Sequence, residues 1–248
     1  MRYLVRYLPA VLAFVAVLAS VWGPIWDSNR QHLTKFGWLT IAVAFGSMLV
    51  SLYTAEWQAS QRMTVRTVAQ SELREALDQV LHPFAMLWMN ADLKINKKLA
   101  FNEGRFYADE AYMVAKLREP FFRESWSRFD LRRDPEYPSL YPSSTWSQFF
   151  SAKAARADSK LESCVAKYSA YLYAEELLEV HALQSDEFFR MRMKDLPTLV
   201  EANAHLKEYP VSFAFRGPNE DAEYLHFVDK VGVLARRLPP NPFWLPSK

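Results

Sequence analysis

The sequence predicts a mainly α chain, with an N-terminal two-helix transmembrane hairpin followed by a mostly helical cytoplasmic domain. Three observations predict it. Residues 7–26 and 36–55 are two uncharged stretches of twenty residues, each the length that a helix needs to cross about 30 Å of hydrocarbon. Aromatic residues stand at all four ends of these stretches: Tyr3 and Tyr7, Trp22 and Trp26, Phe36 and Trp38, Tyr53 and Trp57. Such rings favour the headgroup level of a bilayer. Downstream, apolar residues recur at three- and four-residue steps, the spacing of one helix face.

The hairpin occupies residues 1–57. Arg2 and Arg6 precede the first span and Arg62 and Arg66 follow the second, whereas the connection between them carries only Arg30 and Lys35 against one acid. The excess of positive charge on the outer flanks places both termini in the cytoplasm. A cleavable signal peptide competes for the first span, but Val21 and Trp22 follow Ala19 and Ser20 and spoil the small-x-small cleavage pattern. Within the spans, Ala16, Ser20, Gly23, Ala42, Gly46, Ser47 and Ser51 supply small residues at four-residue steps, including Ala16 with Ser20 and Ala42 with Gly46. That spacing lets helix backbones approach, either within the hairpin or between copies of the chain.

From residue 58 to residue 82 no Gly or Pro interrupts the chain. Val65, Ala69, Leu73, Ala76, Leu77, Val80 and Leu81 line one face of this stalk, with Glu72, Arg74, Glu75 and Asp78 on the other. His82 and Pro83 break or kink it, and the cytoplasmic domain takes residues 83–248. Around Leu93 and Ile95 a short strand competes with helix. Residues 107–118 read as one helix stopping before Pro120, and residues 121–133 as a further short one. Pro135, Pro138 and Pro142 make 134–142 a loop. Ser143 or Ser144 caps the next helix and Asp158 or Ser159 another, on which Cys164, Tyr168, Tyr171, Ala174, Leu178 and His181 share a core stripe. A helix follows from Ser185 to Leu196, another begins at Pro197, a weak strand lies at 211–215, and a last helix spans 219–238.

Composition limits the chemistry. The chain holds 30 basic and 28 acidic residues, of which residues 1–55 take four and one, so the cytoplasmic part is near neutral. That balance argues against sequence-specific nucleic-acid binding. Cys164 is the single cysteine, which excludes an internal disulfide and a multi-cysteine metal centre. Six glycines form no phosphate-cradling loop. Glu175, Glu176, Glu179 and His181 are the densest titratable cluster, without the repeated Glu-x-x-His of a di-metal bundle. Arg128, Arg132 and Arg133 beside Trp126 and Phe129 are the candidate contact for an anion or a nucleotide. No catalytic residue, metal ligand or cofactor is expected. The expected partners are the lipid bilayer, further copies of the chain and a cytoplasmic protein or nucleoprotein.

A hairpin with almost no outer loop, joined by a continuous helix to a mostly helical domain, resembles the small two-span toxic effectors of bacterial antiphage systems, including those encoded with retrons. The resemblance covers the whole layout, and no site is carried over from it. It implies an inner-membrane protein whose activation perturbs the membrane and stops growth of the infected cell, with a partner that keeps the domain silent. A membrane-anchored scaffold for a cytoplasmic protein is the alternative, and an anchored enzyme with a site assembled from distant residues is the third reading.

Overall fold

The computed structural model describes Phe14, residues 26–27, 32–33, 35–95, 101–120, 129–134, 144–205, Val211 and residues 218–240. Mainly helical architecture, as predicted, is what these residues adopt. Strands β1 (Trp26–Asp27) and β2 (His32–Leu33) pair antiparallel, Trp26 opposite Leu33 and Asp27 opposite His32. The sequence predicts the end of a first span and a connecting loop there. Then follow α1 (Lys35–Ile95), α2 (Glu103–Ala108), α3 (Glu110–Arg118), α4 (Trp146–Tyr168), α5 (Ala174–Gln184), a π-helix (Phe188–Lys194), α6 (Leu196–Ala202) and α7 (Pro218–Arg237). The chain divides into two compact units, residues 1–65 and 66–248, with the division inside α1.

Among the described residues the predicted hairpin is not found. Residues 7–26 lie outside the described residues apart from Phe14 and Trp26, and Ala16, Ser20 and Gly23 lie there with them. Among the described residues no helix is long and apolar enough to cross a membrane. Residues 36–55 open α1 as one uncharged stretch of helix.

In the 66–248 unit the apolar face of α1 packs into the core, as a helix with one apolar face predicts. Ala69, Leu73, Ala76, Leu77, Val80, Leu81 and Phe84 are fully buried. Of the predicted break or kink at His82 and Pro83 the break does not occur, and the helix continues through Pro83 to Ile95. An interior proline costs about 3 kcal/mol. Burial of Phe84, Met86, Leu87 and Trp88 just beyond it offsets that cost, since each large apolar side chain contributes about 1.5–3 kcal/mol.

Helix α4 runs antiparallel to α1, its Lys153, Lys160, Cys164 and Tyr168 meeting Gln79, Glu75, Ala69 and Glu72. It starts at Thr145, not Ser143 or Ser144, in a capping box with Gln148. No new start occurs at Asp158, because Phe150, Ala154, Ala157, Leu161 and Cys164 form one unbroken buried face. The predicted single helix over 107–118 is instead two, because Asn102 caps α2 and Asp109, whose side chain accepts from Tyr112 N at 3.1 Å, caps α3. The core stripe expected to run from Cys164 to His181 is also broken. Helix α4 ends at Tyr168, and the turn before α5 rotates the next helix so that Glu176, Val180 and Leu183 face inward. Leu178 is left 67% exposed. Between Ser185 and Leu196 the backbone is π-helical rather than α-helical. Of the strand expected at 211–215 only Val211 is described, its carbonyl accepting from Leu131 N at 2.8 Å.

The last helix falls where the sequence places it, and α7 packs on α3. Tyr224 donates its hydroxyl to the Leu117 carbonyl at 2.7 Å, and the helices come close enough at Gly232 that a Cβ there would meet Val114 Cγ2 at 2.7 Å. Gly232→Ala should therefore lower stability by about 1–3 kcal/mol through overpacking. The shift of the urea midpoint measures it, and pairing the change with Val114→Ala should restore most of the loss.

Candidate functional site

Two features stand out as candidates, one in each unit. The first is the opening of α1. Across residues 41–57 the large apolar side chains Val43, Phe45, Leu49, Val50, Tyr53 and Trp57 are exposed, Val50 at 64% and Tyr53 at 73%. At 100° per residue they point to several sides of the helix. Gly37 and Ala44 are buried, and Ile41, Met48, Leu52 and Ala55 are half-buried on the same face. The small residues predicted to pack the hairpin do not occupy that face: Ala42, Ser47 and Ser51 are exposed, and a Cβ on Gly46 would meet nothing within 4 Å. Ser47 donates its hydroxyl to the Val43 carbonyl at 2.8 Å, and Thr54 donates to Val50 at 2.7 Å. These hydroxyl protons are thus bonded within the helix.

The second feature lies inside the 66–248 unit. Arg74, Asp78 and His82 follow one another at four-residue steps on α1. The sequence assigns Arg74 and Asp78 to a solvent face, yet both are buried. Arg74 Nε is 3.6 Å from Asp78 Oδ1, and Arg74 Nη2 donates to the Tyr107 carbonyl of α2. His82 Nδ1 is 3.1 Å from the Tyr107 hydroxyl. One residue of α2 therefore engages both ends of the row. Burial pulls the Arg74 guanidinium below its ordinary value, and the charges of Asp78 and Glu110 oppose the shift.

Burial, with a smaller contribution from Lys153, lowers His82 from 6.5 to about 4. The imidazole is therefore neutral at pH 7 and bonds Tyr107 as a neutral ring. Because its folded value lies below its unfolded value, the unfolded chain binds the extra proton first as pH falls. The stability contribution is complete above about pH 6.5 and is lost as the pH drops through about 4, a loss on the order of 3 kcal/mol. Urea titrations at pH 7 and pH 4 should show this loss in the parent and a smaller one in His82→Gln.

The predicted anion contact is only partly within view. Arg128 lies outside the described residues. Arg132 is engaged by Asp130, its Nε 2.9 Å from Oδ1 and its Nη2 2.8 Å from Oδ2. Asp130 is held below the usual carboxylate range, chiefly by that side-chain bond. Arg133 is exposed, and its carbonyl accepts from Trp146 N at 2.9 Å. Nor do Glu175, Glu176, Glu179 and His181 assemble into one cluster. Glu175 and His181 are exposed, Glu179 lies 3.8 Å from Arg237, and Glu176 turns into the core to meet Arg66 and Gln70. Among the described residues no group of His, Cys, Asp and Glu is placed to hold a metal ion. Cys164 is buried and its thiol is pushed up to about 11, mainly by burial and then by Glu72, so it is a poor nucleophile.

Comparison with protein-family models, with curated proteins and with solved structures finds no match to this chain. Sequence reasoning missed the polar row and the partners of Glu176. The four-residue spacing of Arg74, Asp78 and His82 was a signal for the first. For the second there was none, since Arg66 and Glu176 are far apart in the chain.

Proposed function

We propose that the chain is a bacterial inner-membrane effector. Its first 57 residues enter the bilayer as a hairpin, both termini facing the cytoplasm, and the helical domain is held silent by a protein or nucleoprotein partner. Release of the domain lets the hairpin, as an oligomer, perturb the membrane, and antiviral defence is the setting that its layout favours. The observation that carries this reading is the exposure of Val43, Phe45, Leu49, Val50, Tyr53 and Trp57 around α1. A helix apolar on all sides is stable only when lipid or other protein covers it. The internal bonds of Ser47 and Thr54 support the same reading, because a bilayer core offers these hydroxyls no water.

The alternative, a membrane-anchored scaffold, draws on Leu178, an exposed apolar side chain on α5 of the kind a protein partner covers. Overproduction of the intact chain with a membrane-potential dye separates the two. An effector depolarises the membrane and loses that effect when Gly46→Ile blocks close approach between copies. A scaffold leaves the potential unchanged and co-purifies one partner, which Leu178→Asp releases. Turnover of a substrate by the domain with the potential unchanged would overturn both in favour of an anchored enzyme.

A further inference from the structure

We propose that Glu176 is a catch that holds the first turn of α1 in the 66–248 unit, and that the catch has an open state. The proposal rests on the reading of the domain as the silenced part of an effector. Glu176 is 2% exposed, and both its carboxylate oxygens are engaged. Oε1 accepts from Arg66 Nη2 at 3.0 Å and from Gln70 Nε2 at 2.6 Å, while Oε2 accepts from Tyr173 N at 2.7 Å. One carboxylate thus joins α1 to the start of α5. The Arg66 guanidinium also lies over the Tyr173 ring, 3.2 Å from its centre.

The means of attachment changes along α1. From Leu73 onward it is held by fully buried apolar side chains. In the turn 66–70 the small Ala69 is buried, Thr67 and Val68 are exposed and Arg66 and Gln70 are half-buried, so polar contacts to Glu176 and Tyr173 are its main attachment. Arg66 is also the first residue of the unit. A turn attached by polar contacts can detach while the apolar core below stays closed, the pattern of a low-stability cooperative segment. Tyr173, which carries two of the contacts, is itself 59% exposed, so solvent reaches the catch.

Distances between spin labels on the full-length chain in detergent test the catch. One pair sits at Val68→Cys and Ala174→Cys, across the catch, and a control pair at Arg156→Cys and Thr198→Cys, on α4 and α6; buried Cys164 is left in place. The expected result is a single distance for each pair in the parent. Glu176→Ala and Arg66→Ala should each add a longer distance at the first pair alone, and the double variant should add no more, as for two residues in one interaction. An unchanged first pair in both variants overturns the proposal, and so does equal broadening of both pairs, which would make the contacts ordinary packing. Membrane potential in cells producing Glu176→Ala reads the other layer. Depolarisation without a trigger joins the catch to the effector reading, whereas a longer distance with an unchanged potential leaves the catch standing and defeats that reading.

Discussion

If residues 36–55 enter the bilayer as proposed, arginine at both Leu49 and Val50 should keep them out, and a reporter fused after Lys248 that works only in the cytoplasm should fall silent. Both side chains are exposed near the middle of the uncharged stretch. At a helix centre each arginine costs about 2.5–3.5 kcal/mol to insert, whereas the Leu or Val that it replaces favours insertion by about 0.3–0.6 kcal/mol. The pair therefore shifts the equilibrium by roughly 6 kcal/mol, about four orders of magnitude. With the second span excluded and the first retained, the domain is drawn to the far side. Val68→Arg, an exposed site further along the same helix, should leave the reporter active. If the parent chain dissolves without detergent, the membrane reading is lost altogether.

Arg74→Ala should be the most damaging single change in the 66–248 unit. It leaves Asp78 charged in the core and the Tyr107 carbonyl short of a donor. Breaking a buried pair by removing one partner costs about 3–5 kcal/mol. In a unit of this size that lowers the melting temperature by about 10 °C. Arg118 and Asp229 form a pair with both side chains about half exposed, so Arg118→Ala should cost under about 1 kcal/mol. Replacing both buried partners, as Arg74→Met with Asp78→Leu, should recover much of the loss, because no uncompensated charge is then left in the core. Calorimetry of the three variants orders the effects.

The parts of this chain that were legible in its sequence are those where one local signal decides the outcome. Helix α7 was found to within a residue at each end because its apolar repeat is regular and proline flanks it on both sides. Misreadings arose where two local signals competed. At Pro83 the missing N–H argued for a break, but the apolar residues on either side bury together and carry the helix through. At Asp109 the repeat argued for one helix, and a carboxylate bonding the Tyr112 N–H divided it into two. The same holds for the candidate sites: Arg132 looked available beside its aromatic neighbours until Asp130, two residues away, was seen to bind its guanidinium.

By itself the sequence determined the helical class, the apolar character of the opening of α1, the absence of an internal disulfide and the near-neutral charge of the domain. Each follows from residue type and short-range spacing alone. Tertiary structure alone decided which polar groups go inside. Arg74, Asp78 and Glu176 look like solvated charges in the chain, and they become core residues only because partners from α1, α2 and α5 arrive to satisfy them. Burying a charge is favourable only when another part of the fold supplies its hydrogen bonds, and neither the Tyr107 carbonyl that receives Arg74 nor the Arg66 and Gln70 that meet Glu176 stand at a distance along the sequence that marks them as partners.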